Sequence, residues 1–282
     1  MKAAPFDYVR AATVEEAVGA LSGDGARALA GGQSLVPLLN LRLARPTTVV
    51  DVNRLDLDHL RLSGTDLVLG ALVRHRRVET SPLVRREVPL LAEAMSHVGH
   101  VAVRNRGTVG GSAAHADPAG ELPAVCVALD ATLVARGPAG PRAIAARDFF
   151  LGPHRTALAP GELLVEVRLP VPPPGSGHAV AELCRRHNDL ALVAVVACVT
   201  VSEGTVTRAR VAVAGAGPTP LRATAAEALL VGRAPTADAI ASAADAVADS
   251  TDPPDDLHAP ATYRRDMAAV LTRRALRQAV AP

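Results

Sequence analysis

Two short runs of small residues, Ala30-Gly31-Gly32-Gln33-Ser34-Leu35 and Thr108-Val109-Gly110-Gly111-Ser112, have the composition of segments that bind phosphate through the main chain. Adjacent glycines allow positive φ. Their N–H groups can converge on one concavity, and small neighbours let an oxyanion approach. Each run is read as leaving a short strand. Two such loops suit a pyrophosphate held from both sides, with Ser34, Thr108 and Ser112 adding hydroxyl donors. Neither run matches the G-x-G-x-x-G dinucleotide fingerprint or the G-x-x-x-x-G-K-[ST] phosphate loop.

Other chemistries lack their side chains. Lys2 is the only lysine, so a phosphate-loop lysine, a Schiff-base lysine and a Ser-Lys dyad are excluded unless the second residue reaches a site. Cys126, Cys184 and Cys198 are too few for a cluster held by four thiolates, and they form no C-x-x-C pair. His115 with Asp117, and His97-x-x-His100 on a helix, offer no third ligand; they read as surface or hydrogen-bonding residues, and no metal is assigned. Asp117, before Pro118, suits a turn or an N-cap as well as a cofactor contact.

Composition sets the frame. Thirty Lys+Arg against 28 Asp+Glu leave a net charge of +2, too balanced for capture of nucleic acid or an anionic membrane. Three Phe, two Tyr and no Trp provide no stacking surface for bases. The longest apolar run, Leu190 to Val201, falls short of the ~20 residues of a membrane span. The start shows no secretory leader and the cysteines form no even set, which points to the cytoplasm.

The elements that must position the two loops form an α+β protein. Arg27 to Ala30 reads as a strand, Ser34 as the N-cap of a helix carrying Pro37 in its first turn, and Thr47 to Val52 as a β-branched strand. His59 to Leu72 suits paired strands around Ser63-Gly64, and Pro89 to Val98 a helix ended by Gly99. Asp117-Pro118 opens a helix to about Leu129; Ala131 to Ala135 and Leu163 to Leu169 are strands. The run Val171-Pro172-Pro173-Pro174-Gly175-Ser176-Gly177 marks a domain boundary, giving domains of 1–173 and 178–282. The second contains strands at Ala191–Val201 and Arg208–Ala214, then helices near 224–230, 237–248 and 263–279.

The stretch Ala30 to Leu35, continuing Val36-Pro37-Leu38-Leu39-Asn40-Leu41-Arg42-Leu43-Ala44, resembles the first FAD-binding segment of the medium, flavin-carrying subunit of molybdenum hydroxylases such as carbon-monoxide and xanthine dehydrogenases. Arg104 to Pro123 is similar to the second segment nearly residue for residue. Asp148-Phe149-Phe150-Leu151-Gly152-Pro153, Gly161-Glu162-Leu163-Leu164, Glu182-x-x-Arg185-Arg186-x-x-Asp189, Gly215-x-Gly217-Pro218-Thr219-Pro220-Leu221-Arg222 and Arg273-Arg274-Ala275-Leu276 follow in the family's order, so the resemblance covers almost the whole chain.

The resemblance implies a PCMH-type FAD-binding domain of two small α+β subdomains and a smaller α+β flavoprotein C-terminal domain. It implies FAD as cofactor, a [2Fe-2S] small subunit and a molybdopterin large subunit as partners, and electron transfer rather than acid, base or nucleophilic catalysis on this chain. Carried over, Ala30 to Leu35 and Thr108 to Ser112 would hold the pyrophosphate and adjoining hydroxyls. Asp117 and Glu121 would contact the cofactor, Leu164 would meet it through its backbone, and Leu190 would lie near the isoalloxazine. Arg185 and Arg186 either ion-pair with a partner domain or shape the flavin site.

Many bacterial relatives carry Tyr or Phe where this sequence has Leu190, which leaves O2, NAD and a quinone open as electron acceptors. A stand-alone FAD-dependent oxidase or oxygenase is the alternative activity, with residues around Arg185, His187 and Leu190 as its substrate site. A binding module that has lost the cofactor is a third class, against which the retained paired glycines argue.

Overall fold

The computed structural model describes residues 2–186 and 189–281. The chain starts with β1 (Asp7–Arg10), α1 (Val14–Leu21), β2 (Ala26–Leu29), α2 (Leu35–Asn40) and β3 (Thr48–Asp51). The three strands form a parallel sheet in the order β1-β3-β2, with α1 packed on it around Ala17, Val18, Val50 and Val52. Thr13 caps α1 by accepting from Glu16 N, while Glu16 accepts from Ala12 N, a reciprocal pairing that fixes where the helix begins.

The next unit runs β4 (Leu60–Ser63), β5 (Asp66–Gly70), α3 (His75–Thr80), α4 (Pro82–Glu87), α5 (Pro89–His97), α6 (Val101–Arg104), α7 (Val109–His115) and α8 (Glu121–Ala128). It continues through β6 (Thr132–Gly137), β7 (Gly140–Ala145), α9 (Ala146–Phe149), β8 (Phe150–Gly152), β9 (Arg155–Thr156) and β10 (Leu163–Pro170). β4-β5-β10-β6-β7 form an antiparallel sheet, and β8 and β9 a separate short hairpin.

Beyond Pro170 come β11 (Ser176–Leu183), β12 (Val193–Ser202), β13 (Thr205–Ala214), β14 (Leu221–Arg222), α10 (Thr224–Leu230), α11 (Ala237–Ser250) and α12 (Ala261–Ala279). The four strands are antiparallel in chain order. Helices α10 to α12 cover one face; α5 and α8 of the preceding unit pack on the other.

Three expectations change. Val101 to Val103 is not a strand: it begins the short helix α6, anchored by Arg104, whose guanidinium is buried against Glu79 at 2.8 Å and the Gly99 carbonyl at 2.5 Å. The helix expected from Asp117 starts at Glu121, because Asp117 accepts from Ala119 N at 2.9 Å in a turn. The strand β11 begins at Ser176, inside the proline- and glycine-rich run read as the boundary, and continues to Leu183, ordered by its pairing with β12.

The two units are joined across their seam. Gly215 N donates to Pro118 O at 2.9 Å, Val180 N to Glu93 Oε1 at 3.2 Å, and Arg222 to Val127 O at 3.0 Å and Asp130 at 2.8 Å. Among the described residues no helix is long and apolar enough to cross a membrane.

Candidate functional site

The first glycine run leaves β2 and enters α2. Val36 N is the first amide of this stretch to be bonded within the turn, to Gly32 O at 3.1 Å; the N–H groups of Gly31, Gly32, Gln33 and Ser34 have no acceptor among the described residues. Gly32 takes the left-handed conformation at φ 74°, which a β-carbon would strain. Ser34 sits at the N-cap of α2 but its hydroxyl makes no capping bond, so it too stays available. This run borders a cavity of about 420 Å3 lined by Ala30 to Gln33, Val36, Asp51, Asn53 and Arg106.

Asn53 holds the run in place. Its Nδ2 donates to Ala30 O at 2.9 Å and to Asp51 Oδ1 at 2.7 Å, while its Oδ1 accepts from Arg74 at 2.9 Å. Arg74 also donates to Arg106 O at 2.6 Å, so one chain of polar contacts links the two glycine segments. Burial opposes ionisation of Asp51, but hydrogen bonds from Tyr8 and Asn53 and the charge of Arg10 outweigh it and hold the carboxyl below its usual range. A β-carbon on Gly31 would run into the Arg106 carbonyl, so this glycine serves the contact between segments.

The second run differs from the sequence reading. It follows α6 rather than a strand, and among the four glycines only Gly32 has positive φ. Its amides are engaged: Val109 N to Val73 O at 3.0 Å, Gly110 N to Ala71 O at 2.8 Å, Gly111 N to Thr108 Oγ1 at 3.0 Å and Ser112 N to Thr108 O at 3.0 Å. Gly110 is small because Ala71 presses on it, and Gly111 because Thr108 caps the helix there. An open set of N–H groups is therefore present in the first run alone, with the second packed beside it; a β-carbon on Gly111 would lie 3.9 Å from that of Ala30.

His75, which nothing in the sequence singled out, supports the second run. It is 2% exposed; its Nε2 donates to Thr108 O at 2.9 Å and lies 3.1 Å from Ser112 Oγ. Burial, reinforced by Arg104 and Arg74, pushes its pKa down to about 4 despite the Thr108 hydrogen bond, so the ring is neutral near pH 7. Nδ1 is buried without a partner.

A larger cavity of about 820 Å3 lies at the seam between the units, lined by Asp117, Pro118, Pro153, Arg185, Arg186, Leu190, Gly215 and the 252–264 segment. Leu190 is 69% exposed there, and Arg185 and Arg186 are exposed on the same wall. Arg264 is buried behind it, donating to Leu192 O at 2.5 Å and Asp256 at 2.8 Å. His187 lies outside the described residues.

The remaining expected residues sit apart from both cavities. Leu164 is a core residue of β10, 3% exposed. Glu121, 6% exposed at the start of α8, is pushed up to about 8 by burial, with Glu182 and Asp117 adding to the effect. Glu182 is itself raised by burial to about 7, and its Oε2 lies 3.5 Å from His97 Nδ1. His97 and His100 do not share a helix: His97 ends α5 and His100 precedes α6.

The arrangement defines a dinucleotide-binding protein: an amide-rich pocket beside a parallel sheet, and a roomy cleft between two α+β units. Residues 4–172 match the family described as the FAD binding domain in molybdopterin dehydrogenase, and residues 178–279 the CO dehydrogenase flavoprotein C-terminal domain. The 6-hydroxypseudooxynicotine dehydrogenase complex subunit alpha of Paenarthrobacter nicotinovorans is 42% identical over 99% of this chain and 96% of its own length. Among solved structures, the carbon monoxide dehydrogenase of Hydrogenophaga pseudoflava superposes with a TM-score of 0.97 at 40% identity, covering 99% of this chain and 98% of the other. Quinoline 2-oxidoreductase of Pseudomonas putida 86 gives 0.94 at 37%, covering 99% and 98%. The chain belongs to the family of FAD-binding medium subunits of molybdenum hydroxylases, and FAD is the cofactor of that family.

Proposed function

We propose that this chain is the electron-transfer subunit of a cytoplasmic molybdenum hydroxylase, receiving electrons from a [2Fe-2S] small subunit, itself served by a molybdopterin large subunit, and delivering them to an external acceptor. The observation that carries the reading is the run of four consecutive unengaged amides, Gly31 to Ser34, in a loop whose Gly31, Gly32 and Gln33 line a pocket of ligand size. When bound, FAD supplies the exchange between one-electron and two-electron transfer.

Within that scheme each part of the chain has a separate task. The amides of Gly31 to Ser34 and the Ser34 hydroxyl would hold the pyrophosphate, and Asn53 with Arg74 would keep that loop seated. Thr108 to Ser112, braced by His75, would wall the pocket on its second side, and Asp117 and Leu190 would border the ring at the seam cavity. Glu121 and Leu164 would act from behind, through the position of α8 and β10.

The cysteines support the need for partners and a reducing compartment. None of the three forms a disulfide among the described residues, and burial raises the thiols of Cys126, to about 12, and of Cys198, so neither supplies a thiolate for a cluster. The test is to express the chain with its genomic neighbours and purify it through one affinity tag. A flavin spectrum together with stoichiometric iron and molybdenum is expected; a colourless chain that brings down no iron-sulfur or molybdopterin protein would end the proposal.

A further inference from the structure

The turn between β8 and β9 brings His154 against the C-terminal end of α7, 39 positions away in sequence, and creates a cluster that the sequence alone does not display. One ligand atom from each of His115, Asp117 and His154 lies within 4.8 Å of the others. The two imidazoles are close, with ring centroids 4.6 Å apart and a 34° interplanar angle.

Hydrogen bonds already orient the His154 ring. His154 N donates to Ala116 O at 2.9 Å, and His154 Nδ1 lies 3.2 Å from the carbonyl oxygen of His115. A carbonyl only accepts, so Nδ1 carries the proton and Nε2 presents a lone pair. That is how a metal-ligating histidine is commonly oriented: its other nitrogen donates to a main-chain oxygen. The ring of His115 has no hydrogen-bond partner among the described residues, and Asp117 uses Oδ1 for Ala119 N at 2.9 Å, leaving Oδ2. His154 and Ala116 both adopt left-handed backbone, at φ 54° and 50°, which turns the two segments toward each other.

We propose that His115, Asp117 and His154 form a binding site for a divalent transition-metal ion of the zinc class, at the rim of the seam cavity. Two imidazoles and one carboxylate are a borderline nitrogen and oxygen set that suits zinc and disfavours magnesium or calcium, which take oxygen ligands. Donors around a tetrahedral zinc stand about 3.3 Å apart at bond lengths of about 2.0 Å. Binding would draw these donors together from the separations of up to 4.8 Å at which they now stand. Three protein ligands leave a fourth position open, and Asp117 and Pro153 place it beside the cavity wall. The ion would staple the β8–β9 hairpin to the end of α7. The inference does not depend on flavin binding.

The test is equilibrium dialysis of the full chain against Zn2+, with metal counted by mass spectrometry and flavin counted separately by absorbance. One zinc per chain is expected, with Mg2+ failing to compete. His154 is exposed, so His154→Ala leaves the fold intact by melting temperature and weakens zinc by more than the roughly 10- to 100-fold that loss of an outer hydrogen bond costs; His115→Ala does the same, and His154→Cys, which restores a ligand, recovers binding. Zinc raises the melting temperature of the unaltered chain and not of the alanine variants. Absence of stoichiometric zinc in the unaltered chain overturns the site, as does zinc binding that persists unchanged in both alanine variants.

Discussion

Replacing Glu121 by glutamine should make the chain more stable than the unaltered protein, by a margin that opens above about pH 4.5 and widens up to about pH 8. Burial holds the Glu121 carboxyl at about 8 in the folded state, against 4.5 for the ordinary group, and Glu182 at about 7. For an acid raised in this way, the unfolded chain has released a proton that the folded chain keeps, so stability falls as pH rises between the two values. His75, lowered to about 4 from 6.5, acts with the opposite sign: up to pH 6.5 the unfolded imidazole is charged and the folded one is not, and stability rises. His115, lowered by burial and by His154, adds in the same direction. Below pH 6.5 these contributions oppose each other. Above it, Glu121 remains, joined by Glu182 only to about pH 7. One pH unit corresponds to about 1.4 kcal/mol per proton, so the window from 6.5 to 8 should remove about 2 kcal/mol. At an m-value of about 3 kcal/mol/M that is a fall of about 0.7 M in the urea midpoint. Urea titrations of the full chain at half-unit steps should show this decline, and Glu121→Gln should flatten it. A midpoint that stays level or rises over that window in the unaltered chain, or an equal decline in the variant, would refute the reasoning.

Asn53→Ala removes the amide that seats the first loop, and each 1.4 kcal/mol of lost loop order weakens FAD about tenfold; recovery of free-flavin fluorescence on dilution reads the change. His75→Ala removes one of the two donors to Thr108 O, leaving Ser112 N, and opens a void beneath the second run, lowering stability by about 2–3 kcal/mol in urea, together with weaker flavin retention. Gly110→Val drives a side chain into Ala71 and should cost about 1–3 kcal/mol in thermal melts of the flavin-free chain; a variant that melts normally without flavin and fails only in binding it would restore phosphate approach as the role of Gly110.

Much of the scaffold is legible because local chemistry carries it. The β-branched run around Val49 and Val50, the Pro-led start of α5 and the cap of α11 by Thr236 each act within one element. The first glycine run is legible for the same reason: its small residues and the positive φ of Gly32 belong to one turn. The second run is similar in composition but has a different structure, because its amides are taken by Val73 and Ala71, contacts of long sequence separation. His75, Asn53 and His154 act through partners 20 to 40 positions away and show no periodic pattern; only the Asp51-x-Asn53 turn after β3 left a local trace, in the Asn53 N to Asp51 Oδ1 bond at 2.9 Å.

The strand β12 works as a party wall. Ala194, Val196 and Cys198 face the core of the first unit, and Val193, Val195, Ala197 and Val199 face the core of the second, so from Val193 to Val199 neither side of the strand meets water. A one-residue slip would merely exchange one apolar face for another, so register here is fixed by the sheet's neighbours and not by a polar outer face. Severing the chain after residue 173 would strip the plaster from that wall on both fragments, leaving each with a sticky apolar flank. The two units therefore depend on each other for burial of that strand, whatever the proline-rich joint between them suggests.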